Sequence, residues 1–362
     1  MMKNFILSAC AASILITTGA TARNNTEYSH QNGLVERIQV YGESLENNVT
    51  GAYPSREVMV YLPPSYYEND EIEYPVVYAL HGFGGDAADW FYTGNVHPDI
   101  DANMDKLIAS GDVNEMIIVA LDAKDAMIGS WYQNSEITGN WQDYILQDLI
   151  PAIDDKFRTI DDAEGRGLIG FSMGGYGAIT TVLEAPEMFS AVAAQSPTDY
   201  VLDNDATTCG YIYLGTSTYL NSGEIIAGFD VFKDFTYLYR SIMSVTSAAP
   251  NNPPSYVKSP DMLSFADFIQ CDNFDLPSKI KMVDSSSTSF EHIALRTEVG
   301  NLDLPGFGLV EATAAVTSSL GQLGMHAEFH EFDGGHLDKR SETIDANLIF
   351  LSKHLAAPQQ DD

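Results

Sequence analysis

A serine flanked by glycines, Gly170-Phe171-Ser172-Met173-Gly174-Gly175, follows the short apolar run Gly167-Leu168-Ile169 and precedes helix-forming residues from Tyr176 to Glu184. A hydroxyl held on a sharp turn between a strand and a helix stands clear of its own backbone. Small neighbours let the two elements approach closely. In this setting G-x-S-x-G points to a nucleophilic Ser172 and to acyl transfer. That chemistry needs a base for the hydroxyl proton, a carboxylate to orient the base, and N–H groups aimed at the developing oxyanion.

Candidates for each part lie downstream of apolar runs. Asp333-Gly334-Gly335-His336 follows the strand pattern Glu328 to Phe332, and His336 is the expected base. Among its rivals, His326 and His330 fall inside the strand pattern, His354 falls in the last helix, and His292 opens a strand and faces the wrong edge of the sheet. The acid is expected at Asp303, in Gly300-Asn301-Leu302-Asp303 just past the run Ile293 to Val299. Asp284 and Asp199 are its rivals. His81-Gly82-Phe83-Gly84-Gly85 follows the run Pro75 to Leu80 and supplies a glycine-rich loop, so the oxyanion donors are assigned to the N–H groups of Phe83 and Met173. His81, Trp131 and Tyr132 are candidate substrate-binding residues, the last two serving either as a pocket wall or as packing. No metal-ligand spacing is present, and no metal or organic cofactor is expected.

These residues need a frame that brings distant loops to one edge. Leu34 to Tyr41 and Arg56 to Leu62 alternate apolar and polar residues, as half-buried strands do. Pro75 to Leu80, Met116 to Leu121, Gly167 to Phe171, Phe189 to Ala194 and Ile293 to Val299 are the more continuous runs of strands covered on both faces. Helical patterns lie between and after them at Ile100 to Ser110, Trp141 to Phe157, Tyr176 to Glu184, Leu309 to Leu323 and Ser341 to Leu355. Repeated alternation predicts an α/β fold, a mostly parallel doubly wound sheet with chemistry beyond the carboxyl ends of its strands.

The chain opens with Lys3, an apolar stretch from Phe5 to Thr18 and the small residues Ala20-Thr21-Ala22, the pattern of a signal peptide over residues 1–22. Export to a periplasmic or extracellular space is expected, with lipid anchoring through Cys10 the weaker option. No later run reaches the length of a membrane span. Loss of Lys3 moves the formal charge from −33 to −34. Such a balance repels nucleic acid and anionic lipid. Cys209 and Cys271 remain, either as a disulfide or as two buried thiols. Residues 23–355 are expected to form one domain, and the tail from Ala356 to Asp362 to be disordered. The oligomeric state is not legible.

Taken together, these residues resemble the esterase family of α/β-hydrolases that includes S-formylglutathione hydrolases, enterochelin esterases, feruloyl and acetylxylan esterases, and mycolyltransferases. The resemblance runs from Val58-Met59-Val60-Tyr61-Leu62-Pro63-Pro64-Ser65-Tyr66 through Tyr78-Ala79-Leu80-His81-Gly82 and Asp148-Leu149-Ile150-Pro151-Ala152-Ile153-Asp154 to Phe157-Arg158. Its most specific marks are the elbow extended to Gly175 and the Gly-Gly-His ending at His336. It implies an α/β-hydrolase fold with Ser172 as nucleophile, His336 as base and Asp303 as acid, the Gly300-x-x-Asp303 pattern matching the family's acid position. It also implies carboxylic-ester hydrolysis, with acetyl or feruloyl esters of polysaccharides as a substrate class. An acyltransferase using the same triad and a non-catalytic binding protein on the same scaffold are the alternatives. The departure is a long aromatic-rich segment, about 200–290, read as a cap-like insertion over the pocket or as an insertion with its own small core.

Overall fold

The computed structural model describes residues 32–94, 96–197, 236–253, 256–258, 274–284, 288–303 and 308–360. Eight strands form the main sheet: β1 (Leu34–Tyr41), β2 (Ser55–Leu62), β3 (Val76–Leu80), β4 (Ile117–Leu121), β5 (Arg166–Phe171), β6 (Ala191–Gln195), β7 (Ala294–Gly300) and β8 (His326–Phe332). Their spatial order is β1-β2-β4-β3-β5-β6-β7-β8. β1 and β2 pair antiparallel, β2 joins β4 antiparallel, and all strands from β4 across to β8 run parallel.

The strands sort two cores by alternation. Val76, Tyr78, Leu80, Val119, Leu121 and Leu168 enter one, and Val77, Ala79, Ile118, Ala120 and Ile169 enter the other. Every residue of β3 and β4 is buried, which is why those runs read as continuous apolar sequence. Each fully buried Val, Leu or Ile stabilises the fold by about 1.5–3 kcal/mol. At the two edges the pattern loosens. β8 exposes His326 and His330, whose ring bonds Glu328.

Helices α1 (Ile100–Ser110), α2 (Ile150–Lys156), α3 (Met173–Glu184), α4 (Thr236–Thr246), α5 (Leu276–Asp284), α6 (Leu309–Gln322) and α7 (Arg340–His354) complete the described residues' main framework. α2 continues a helical start at Trp141–Asp143 through a π-helical stretch at Tyr144–Leu149. No helix among the described residues is long and apolar enough to cross a membrane.

The tail departs from expectation. The Ala356 N–H donates to the Glu164 carbonyl at 2.8 Å, and Gln359–Gln360 pairs antiparallel with Ile72–Glu73. Backbone bonds hold a stretch whose composition suggested disorder. Much of the 200–290 segment, with Cys209, Cys271 and most of its aromatics, lies outside the described residues. Its described parts dock on the core through polar ties. Trp131 Nε1 donates to Ser241 Oγ at 2.9 Å, Ser135 Oγ to the Ser244 carbonyl at 2.6 Å, and Lys279 Nζ to Gln133 Oε1 at 2.8 Å.

Candidate active site

Ser172 sits between β5 and α3 with φ 55° and ψ −118°, a backbone conformation rare for a residue with a side chain. Its surroundings over-determine that strain. The Ser172 N–H donates to the Gln195 carbonyl at the end of β6 (2.9 Å), and the Ser172 carbonyl accepts the Tyr176 N–H that opens α3 (3.0 Å). The motif glycines answer to space. A methyl on Gly170 would lie 2.0 Å from the Gly174 carbonyl oxygen, and one on Gly174 would lie 1.9 Å from that of Leu80. Strand, helix and β3 therefore meet closer than any side chain allows.

The acid and base come from the loops after β7 and β8, which are tied to each other. Asn301 N–H donates to the Phe332 carbonyl and Leu302 N–H to that of Gly334, both at 2.9 Å, while Gly334 N–H donates to Asn301 Oδ1 at 3.2 Å. Asp303 closes a turn onto the Gly300 carbonyl at 3.0 Å. The result is a chain of three groups. Ser172 Oγ lies 2.9 Å from His336 Nε2, and His336 Nδ1 lies 2.8 Å from Asp303 Oδ1. The Asp303 side chain is wholly buried, and its Oδ2 has no partner among the described residues. The His336 ring packs against Phe171 with centroids 5.1 Å apart. Phe171 in turn lies beneath the buried Arg340 guanidinium, 4.0 Å from its ring centroid. Of the rival bases, His292 bonds the Pro186 carbonyl, His326 and His330 belong to β8, and His354 ends α7. Of the rival acids, Asp284 ends α5 and Asp199 lies outside the described residues.

The two residues expected to supply the oxyanion donors meet through their side chains. Met173 is the first residue of α3, so its N–H precedes the helix's hydrogen-bond ladder at the positive end of the helix dipole. Phe83 lies in the loop after β3, closed by a Gly85 N–H bond to the Gly82 carbonyl at 3.1 Å. A methyl on Gly129 would stand 2.4 Å from the Phe83 ring and 2.8 Å from Met173 Sδ, so both residues converge on this one point.

His81, Trp131 and Tyr132 take a different place from the one expected. His81 is wholly buried. Its Nδ1 bonds the Gly82 carbonyl at 2.8 Å, and its Nε2 accepts the Ala123 N–H at 2.9 Å. Burial lowers its pKa, and the Nε2 acceptor role requires the neutral ring. Tyr132 is equally buried and donates its hydroxyl to the His81 carbonyl at 2.9 Å. Trp131, 1% exposed, packs edge-on against Tyr176 and Phe274. Trp131 and Tyr132 are thus packed side chains, and His81 braces the loop from behind. Both ring nitrogens and the carbonyl of His81 are occupied.

Several supports had no sequence signal. Gln195, which receives the Ser172 N–H, and Asp125, discussed below, belong to no motif. Asn301 stands inside Gly300-Asn301-Leu302-Asp303, where its bridging role could have been suspected. Among the described residues, no group of three or more His, Cys, Asp or Glu is placed to hold a metal ion.

Comparison with known proteins places this arrangement. Residues 53–212, which contain the Gly82–Gly85 loop and the elbow, match the model of the Esterase family, described as "Putative esterase". That stretch, less than half of the chain, resembles the esterase family. An endo-1,4-beta-xylanase/feruloyl esterase of Xylanibacter ruminicola is 29% identical over 193 residues, 51% of this chain and 24% of that protein. The aligned parts span between 24% and 63% of the length of such curated relatives. Two solved structures share the fold. A ferulic acid esterase superposes with a TM-score of 0.59 at 21% identity, covering 90% of this chain and 99% of that one. An S-formylglutathione hydrolase from Agrobacterium tumefaciens gives 0.58 at 16% identity, covering 92% and 99%.

Proposed function

We propose that this chain is an exported serine carboxylic-ester hydrolase in which Ser172 is the nucleophile, His336 the base and Asp303 the acid. One observation carries the reading: Ser172 Oγ, both ring nitrogens of His336 and the buried Asp303 carboxylate stand in one line of contacts of 2.9 and 2.8 Å. His336 Nε2 takes the hydroxyl proton as Oγ attacks the ester carbonyl carbon. The N–H groups of Phe83 and Met173 meet the oxyanion that forms. Collapse of the tetrahedral species breaks the bond to the alcohol oxygen, which receives the proton from His336. Water then repeats the sequence on the acyl-enzyme and releases the acid. Asp303 keeps Nδ1 protonated, so Nε2 is free to accept, and stabilises the imidazolium.

Acetyl or feruloyl groups esterified to polysaccharides are the proposed substrates. The feruloyl esterase activity named for the Xylanibacter relative and the signal-like Lys3 to Ala22 segment support this class. The test is labelling by a fluorophosphonate probe together with turnover of p-nitrophenyl acetate and of acetylated and feruloylated xylan. Wild type should label and turn over, and Ser172→Ala should do neither. Absence of both labelling and turnover in the wild type refutes the hydrolase, whereas turnover of aryl esters without release from xylan refutes only the substrate class.

A further inference from the structure

We infer that Asp125 is a positioning residue for the oxyanion hole, its carboxylate shaping the turn that holds Phe83 and Met173 in place. The inference rests on the esterase reading above. Asp125 is buried in the loop after β4. Its Oδ1 accepts the N–H groups of Met127 at 2.7 Å and Gly129 at 3.1 Å, while its own carbonyl accepts the Ile128 N–H at 3.0 Å. One side chain thus closes the whole 125–129 turn.

The turn is costly to form without such a clamp. Ile128 has φ 73°, a left-handed conformation that a β-branched residue strongly disfavours. What that conformation delivers lies on the other side. The Ile128 carbonyl accepts the Gly84 N–H at 3.2 Å, fixing the residue that follows Phe83. Gly129, the next residue, is the point where the Phe83 ring and Met173 Sδ converge. The turn therefore touches both residues assigned as oxyanion donors. Release of the clamp would let the Phe83-Gly84 backbone drift, and misplaced donors lose much of their stabilisation of the transition state.

Burial pushes the Asp125 carboxyl up to about 6, opposed by the Met127 and Gly129 N–H groups, by Thr138 and by the charge of Arg56. Arg56 reaches in from β2 and is itself bonded to Asp122 and to the Lys124 carbonyl. His81, at the end of β3, is held neutral by its bond to Ala123. Protonation leaves a carbonyl oxygen that still accepts both N–H groups, as the amide of Asp125→Asn would.

The experiment measures kcat, KM and melting temperature on p-nitrophenyl acetate from pH 5 to 9 for wild type, Ser172→Ala, Asp125→Ala and Asp125→Asn. Asp125→Ala should lose roughly 10- to 100-fold in kcat with KM within about threefold, a fraction of the loss seen on deleting an oxyanion donor outright. Asp125→Asn, whose amide oxygen can still accept both N–H groups, should stay within about fivefold of wild type. A folded Asp125→Ala with wild-type kcat, or equal losses in both variants, overturns the inference. Should Asp125→Ala fail to fold, Asp125→Asn decides, and a kcat more than about fivefold below wild type at an undiminished melting temperature overturns the inference. Esterase activity that Ser172→Ala abolishes, with kcat unchanged in Asp125→Ala, sinks this inference alone. A wild type inactive on every ester sinks the esterase reading with it.

Discussion

Asp303→Asn separates catalysis from stability more cleanly than any other change in this site. The carboxylate faces His336 Nδ1 at 2.8 Å and is wholly buried, with Oδ2 unpartnered among the described residues. An amide of the same shape can present its NH2 to Nδ1. That turns Nδ1 into an acceptor and puts the ring proton on Nε2, facing Ser172 Oγ. The base can then no longer accept the hydroxyl proton. For a triad built this way the loss in kcat is about 10³- to 10⁴-fold, or about 4–5.5 kcal/mol of transition-state stabilisation. Stability should hardly move, by about 1 kcal/mol or less, because the substitution removes a buried charge without opening a cavity. The assay is steady-state hydrolysis of p-nitrophenyl acetate beside a urea unfolding curve. A kcat within tenfold of wild type in a folded Asp303→Asn protein refutes the assignment of the acid. A loss of 10³-fold in Asp199→Asn would move the acid there.

Gly174→Ala should leave little folded, active protein, since its methyl would stand 1.9 Å from the Leu80 carbonyl oxygen, a backbone atom that cannot step aside; soluble yield and fluorophosphonate labelling check it. Trp131→Phe removes the Nε1 bond to Ser241 and leaves a buried hydroxyl with one partner fewer, so it should cost about 1–3 kcal/mol in a urea unfolding curve. Asp125→Asn should raise stability with a defined pH dependence. The folded carboxyl titrates at about 6 against 3.8 ordinarily, so the folded chain binds that proton more tightly than the unfolded one. The wild type's stability from this group is full below about pH 4, falls by about 3 kcal/mol as pH rises to about 6, and stays lost above. The stability of Asp125→Asn relative to wild type should therefore grow by about that amount between pH 4 and pH 8. A difference that is flat with pH contradicts it.

Much of this architecture was legible in the residues because its strands are buried on both faces and its helices carry ordinary stop signals. α1 spans Ile100–Ser110 as read, and β1 spans Leu34–Tyr41. α3 starts three residues earlier than its apolar pattern suggested, at Met173, because glycines are poor helix formers and conceal a helix that begins inside the motif. Ser172, His336 and Asp303, which the structure brings into one line of contacts, were legible because each follows a strand end within a glycine-containing stretch. His81 shows the opposite case. A histidine at the start of a glycine-rich loop looks like a ligand contact, yet Gly82 and Ala123 occupy its two ring nitrogens and Tyr132 its carbonyl. Asp125 was invisible for a different reason. One acidic residue among 51 has no local mark, and its role arises only where three chain-distant segments meet.

The placement of the ties also separates what sets the chemistry from what sets the substrate. Ser172 is bonded to the end of β6, and the acid and base loops are bonded to each other beyond β7 and β8. Those strands are adjacent and in parallel register, Ala294 opposite both Ala191 and His326. The distance from Asp303 to His336 to Ser172 is therefore set by sheet register and by backbone bonds that no described part of the 236–284 region contributes. That region meets the elbow elsewhere, on the outer side of α3, where Phe274 stacks on Tyr176 at 4.8 Å and its carbonyl takes the Tyr176 hydroxyl at 2.7 Å. Changes there can shift the helix that bears Met173 while the triad stays intact. In this arrangement, substitutions around Phe274 should act on which ester is accepted and how its oxyanion is held, whereas those between Gly300 and Asp303 should act on the proton transfers common to every substrate.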